Sequence, residues 1–93
     1  MIRSFGCKHT KNVWLGEPSK KWSDEVANRA LRKLTMLNAA TDIQDLKIPP
    51  SNRLHKLKGN LKDYWPISVN NQWRIIFIWA DKNAFEIQII DYH

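Results

Sequence analysis

The hydrophobic positions of this chain change period once, near the middle. In the first half Val26, Ala27, Ala30, Leu31, Leu34 and Leu37 recur at helical spacing, while Arg29, Arg32 and Lys33 take the other face. That pattern predicts an amphipathic helix of about 16 residues. Ser23 suits its N-cap, and Asp24 and Glu25 place negative charge in the first turn, where the helix dipole favours it. A shorter helix is expected over 7–15, ended by Gly16 and Pro18. Thr41 and Asp42 cap one further turn over 43–46 before Pro49 and Pro50 stop it, and residues 1–5 read as a short first strand.

The second half has the spacing of a sheet. Residues 64–69 are a strand candidate, which Pro66 consigns to an edge or a bulge. Asn70 and Asn71 signal a turn, because Asn tolerates positive φ. Residues 73–79 are apolar almost throughout, as a central strand covered on both faces requires. Asp81, Lys82 and Asn83 supply the next turn. A last strand follows over 85–91, with Phe85, Ile87 and Ile89 alternating against Glu86 and Gln88. The class is therefore α+β, with three antiparallel strands packed on N-terminal helices.

Composition narrows the function. A chain of 93 residues allows one small domain, and 43% hydrophobic content is too high for a disordered chain. No apolar run is long enough to span a bilayer, and the N-terminus lacks the apolar stretch of a secretion signal. Cys7 is the single cysteine, and no Cys/His spacing suits zinc. A soluble, cytoplasmic, metal-free protein without cofactor is expected. The 15 Lys and Arg against 9 Asp and Glu leave a net charge of +6, a balance that favours polyanions, nucleic acid first. Arg53, Lys56, Lys58 and Lys62 fall in one stretch with His55 and no acid, so the charge is concentrated.

No glycine-rich phosphate loop is present, and no nucleophile pairing stands out. Trp73, Phe77 and Trp79 sit in the most buried strand and read as core rather than as a stacking platform. Arg74 is the one charge in that apolar strand. Desolvating a guanidinium is costly, so it either pairs internally with Asp91 or faces a groove and awaits a phosphate. The final strand delivers Asp91, Tyr92 and His93 beside it. His55, Lys58, Arg74, Tyr92 and His93 together supply what a metal-free ribonuclease needs. RNA brings its own 2′-hydroxyl nucleophile, and the protein brings a base, an acid and cations for the phosphate.

Three stretches carry a resemblance: residues 53–59 with their L-x-x-L-x-G spacing, Asn71-Gln72-Trp73-Arg74-Ile75, and Asp91-Tyr92-His93. In this order they resemble the HigB-type killer toxins of bacterial type II toxin–antitoxin systems, within the RelE/ParE superfamily. The similarity extends to residues 1–5 and 37–41, so it spans nearly all of 1–93. It implies a RelE-like fold, N-terminal helices on a small antiparallel sheet of three or four strands. It also implies a ribosome-dependent mRNA endonuclease that leaves a 2′,3′-cyclic phosphate and a 5′-hydroxyl. The implied partners are the ribosome, mRNA and a helix-turn-helix antitoxin, through which alone operator DNA would be bound. His55, Arg74, Asp91, Tyr92 and His93 match the family's catalytic positions, and Arg53, Lys56, Lys58 and Lys62 would contact phosphate. Which histidine is acid and which is base stays open. Pro66 departs from the family pattern, which has a strand former there. The competing readings are a ParE-like gyrase poison, which lacks these groups, and a nucleic-acid-binding module without catalysis.

Overall fold

The computed structural model describes residues 1–92. Two helices lead: α1 is Lys8–Trp14 and α2 is Asp24–Ala39. The first ends because Gly16 adopts φ 76, which lets its N–H reach Val13 O at 3.1 Å and that of Glu17 reach Asn12 O at 2.9 Å. The second begins where the Ser23 hydroxyl accepts from the Val26 N–H at 3.2 Å, as its capping pattern predicts. Ala30, Leu34 and Leu37 are fully buried along its inner face. A 3₁₀ turn, Ile43–Lys47, follows under a reciprocal capping box between Asp42 and Asp45. Two further 3₁₀ turns, Pro50–Asn52 and Gly59–Leu61, occupy a stretch whose sequence predicts no element.

Strands β1 (Trp65–Ser68), β2 (Trp73–Ala80) and β3 (Asn83–Asp91) form one antiparallel sheet in the order β1-β2-β3. Pro66 lies on the edge strand, opposite Ile76, where its missing N–H does least harm. Trp73, Ile75, Phe77 and Trp79 join Val13, Trp22, Leu34, Leu37 and Leu46 in the helix-side core. The tryptophans are thus core residues, with Trp22 edge-on to Trp73 at 6.0 Å between ring centres.

Three sequence expectations need correction. Residues 1–5 are not a strand of their own: only Ile2 and Phe5 bridge β3, in parallel, at Ala84 and Ile87. The reason is a bulge in β3. Ile76 pairs with Gln88 but Ile78 with Phe85, so Glu86 and Ile87 together oppose Phe77, and Glu86 sits at φ 53. Its N–H turns to the Ser4 hydroxyl at 2.8 Å, interrupting the ladder. The same extra residue corrects the alternation read along 85–91. Ala84, Ile87 and Ile89 reach the core, and Phe85 does not. Finally, Asn70 and Asn71 do not use positive φ. The Asn70 side-chain oxygen instead accepts the N–H groups of Gln72 and Trp73, at 2.9 and 2.8 Å, in an Asx turn. Positive φ falls on Asp81 (51°) and Lys82 (64°), the two-residue hairpin between β2 and β3.

Candidate functional site

Strand periodicity decides which side chains leave the core. Odd-numbered residues of β2 face the helices, so Arg74 and Ile76 point to the opposite face of the sheet. Register sets Arg74 beside Ser68 of β1 and Ile90 of β3. Two residues beyond Ile90, Tyr92 returns to that same face. Its N–H donates to Gln72 O at 2.7 Å, and Gln72 Nε2 donates to the Asp91 carboxylate at 3.1 Å, so the end of β3 is tied to the start of β2. The Tyr92 ring accordingly covers the Arg74 guanidinium, Cζ standing 4.9 Å from the ring centre.

Arg74 is only 6% exposed, yet it is charged. Its Nη1 donates to the carbonyl oxygens of Asn70 and Trp73. Burial pushes its pKa below the ordinary arginine value, and the nearby Arg53 pushes the same way, while Tyr92 opposes them. A guanidinium that donates to backbone carbonyls and lies near a second cation is a candidate for an external anion.

The segment over this face supplies the rest. His55, Lys56, Leu57, Lys58, Leu61 and Tyr92 line an open cavity of about 480 Å³. Leu57 is buried and anchors the segment, while His55, Lys56 and Lys58 stay exposed around it. Lys56 is steadied over the Trp65 ring, Nζ 4.6 Å from its centre. His55 Nδ1 lies 2.7 Å from Arg53 O. A carbonyl only accepts, so Nδ1 carries the proton, and in the neutral ring Nε2 is left with its lone pair. Arg53 makes this possible by adopting the left-handed conformation, φ 54 and ψ 42, at the end of the 3₁₀ turn Pro50–Asn52.

The structure therefore brings His55, Lys56, Lys58 and Tyr92 around one cavity, with Arg74 beneath the tyrosine. Asp91 is tied in through Gln72, and His93 lies outside the described residues. Arg53 contributes its carbonyl to His55, but the residue lines a different pocket, with Arg29 and Lys33. Lys62 is exposed at the end of the turn Gly59–Leu61 and lines neither pocket. Sequence reading passed over Asn70 and Gln72 as supports. Asn70 stood out only as a turn residue, and Gln72 only as part of the stretch 71–75, without a role of its own.

Comparison with known proteins identifies the family and the fold. Over 56 residues the chain is 50% identical to the toxin HigB-1 of Vibrio cholerae, a match spanning 60% of this chain and 59% of that protein. It is 31% identical to the endoribonuclease HigB of Proteus vulgaris over the full length of both. Its fold is that of YafQ from Escherichia coli, at a TM-score of 0.67 and 24% identity over 98% of this chain and 91% of that one. It is likewise that of the toxin fold in the YoeB–YefM complex of Staphylococcus aureus, at 0.58 and 14% identity over 100% and 95%. Residues 5–93 match the family described as RelE-like toxin of type II toxin–antitoxin system HigB. With two helices on a three-stranded sheet and a basic cleft on the sheet's far face, the chain belongs to the HigB family of toxins, the toxic half of a type II toxin–antitoxin pair.

Proposed function

We propose that this toxin is an endoribonuclease that cuts translated mRNA on the ribosome without a metal ion. The observation that supports it is the shared cavity of His55, Lys58 and Tyr92 with the Arg74 guanidinium beneath. In this reading the His55 Nε2 lone pair takes the proton of the 2′-hydroxyl. The freed oxygen attacks the adjacent phosphorus, and the bond to the 5′-oxygen breaks. Lys58 and Arg74 balance the charge gathering on the phosphate oxygens, where a planar guanidinium fits best. Tyr92 stacks on the substrate. His93, whose imidazolium the Asp91 charge favours, protonates the departing oxygen. The products are a 2′,3′-cyclic phosphate and a 5′-hydroxyl.

His55 takes the base role because its Nδ1–H is committed to the Arg53 carbonyl. Lys56, Arg53 and Lys62 contribute positive potential along the path of the RNA. The partner of the free toxin is its antitoxin, taken to be a helix-turn-helix protein through which the pair contacts operator DNA. No helix of the described residues is long and apolar enough to cross a membrane, and the proposed site of action is the cytoplasm.

Primer extension on a defined message, with and without ribosomes, tests the reading. Cleavage is expected only with ribosomes, and His55→Ala should slow it by roughly 10²–10⁴, the usual worth of one general acid or base. Equal cutting of naked RNA would remove the ribosome from the proposal. Growth arrest that survives His55→Ala, or inhibited DNA supercoiling, would replace it with a binding or gyrase-directed mechanism.

A further inference from the structure

A second basic pocket lies outside the cleft. It has a volume of about 140 Å³ and is lined by Arg29, Lys33, Ser51, Arg53, Asn70 and Asn71, together with Ser68 and Val69. No acidic or aromatic residue lines it. Arg29 does reach Glu25 one turn back along α2, but only at 4.0 Å between exposed side chains, which neutralises little. The volume falls below the ~300–1,000 Å³ of pockets that enclose a whole small molecule, so a single anionic group fits it better. Without a ring to stack on, that group is backbone phosphate rather than base.

The pocket is built rather than incidental. Lys33 Nζ donates to Asn52 Oδ1 at 2.6 Å, and Asn52 is fully buried. The amide is itself fixed, with Nδ2 donating to Leu46 O at 3.1 Å and to Met36 Sδ at 3.2 Å. The ammonium is thereby moored in the pocket that Arg29 and Arg53 also line, although burial and the charges of Arg29 and Arg32 lower its pKa. Lysine otherwise swings freely into water, so holding it against like charges costs stability. Arg53 adds a left-handed backbone, also costly. A bound anion offsets the first of these costs, while the second also serves the His55 contact. The spot also adjoins the cleft: Asn70 lines the pocket while its carbonyl accepts from Arg74, and Arg53 is close enough to lower the pKa of Arg74.

We infer that Arg29, Lys33 and Arg53 form a second phosphate site, which grips an RNA phosphodiester other than the scissile one. The ribonuclease reading is needed only to identify the anion as RNA. The phosphodiester belongs either to the substrate strand, continuing past Arg74, or to ribosomal RNA against which the toxin docks.

Fluorescence anisotropy tests this with two probes: an uncleavable single-stranded 12-mer carrying 2′-deoxy sugars, and the isolated small ribosomal subunit. The double variant Arg29→Gln/Lys33→Gln should bind at least one probe about tenfold more weakly. The slope of log affinity against log salt should fall by about 0.7, the worth of the one single-strand phosphate that is no longer neutralised. Weakening on the 12-mer assigns the phosphate to the substrate strand, and weakening on the subunit alone assigns it to ribosomal RNA. Arg29→Gln alone leaves the Lys33–Asn52 bond untouched and should give about a threefold loss. The control Lys8→Gln/Lys11→Gln removes the same charge from α1 and should change binding less than twofold. Binding by the double variant within twofold of wild type for both probes overturns the inference, as does an equal loss in the control. Neither readout requires cleavage, so a wild-type protein that binds but does not cut would overturn the nuclease mechanism and leave this site standing.

Discussion

Replacing Arg74 by Gln should separate activity from stability. The side chain is 6% exposed, donates to two backbone carbonyls and lies under the Tyr92 ring. Its pKa is lowered in the folded protein, so folding disfavours the charged form. Arginine stays protonated in both states at neutral pH, so this cost is constant across the physiological range and vanishes only in strong alkali. Glutamine forfeits charge-assisted hydrogen bonds worth about 1.5–3 kcal/mol each, but it also escapes the desolvation of a guanidinium. These terms oppose one another, and the net change in stability should lie within about 1 kcal/mol. For a domain of this size that is a shift of roughly 4–8 °C in melting temperature. Cleavage has no such compensation. Loss of one preorganised donor to a developing anion costs about 10²–10³ in rate, or ~2.7–4 kcal/mol. Arg74→Lys keeps the charge without the planar fork and should fall between the two. Primer-extension rates with saturating toxin, beside thermal melts, decide it. Cleavage by Arg74→Gln within tenfold of wild type would refute the assignment, as would a melting-point collapse large enough to explain the lost activity.

Two further outcomes concern the scaffold. Asn52→Ala should lower stability by about 2 kcal/mol, because it strands the buried Leu46 carbonyl and leaves the half-buried Lys33 ammonium without its partner. A denaturant midpoint unchanged from wild type would contradict that. The Asp45 carboxylate accepts the N–H groups of Thr41 and Asp42, both at 3.1 Å, which holds its pKa below the usual carboxylate value. A depressed folded pKa gives stability that is present above the unfolded value near ~3.9 and lost as pH falls through the folded one. The melting temperature of wild type should therefore drop more steeply than that of Asp45→Asn as the pH falls below about 4, which parallel calorimetric scans would reveal.

Local chemistry was largely legible in the string. The N-cap at Ser23, the amphipathic face of α2, the edge placement of Pro66 and the buried run of β2 each follow from spacing or from a side chain's own bonding capacity. The errors at residues 1–5 and along β3 share one cause. Glu86 inserts a residue into β3 without glycine or any other marker of positive φ, so the parity of every later position shifts. Asn70 turned the chain as expected, but by accepting hydrogen bonds rather than by its backbone angle.

The candidates for reactive groups, and the crowding of positive charge near His55, were legible in the sequence alone, since they are properties of residue type and of neighbours in the chain. Tertiary structure alone decided their convergence. Parity along β2 and β3 sets Arg74 and Tyr92 on the face away from the helices, and the buried Leu57 holds His55 and Lys58 over them. It likewise placed Arg53 in one pocket with Arg29 and Lys33, residues far earlier in the chain, while its carbonyl accepts from His55. Spacing along a chain reports contacts within one element, whereas a cleft is made where separate elements meet, and that meeting depends on register, bulges and packing.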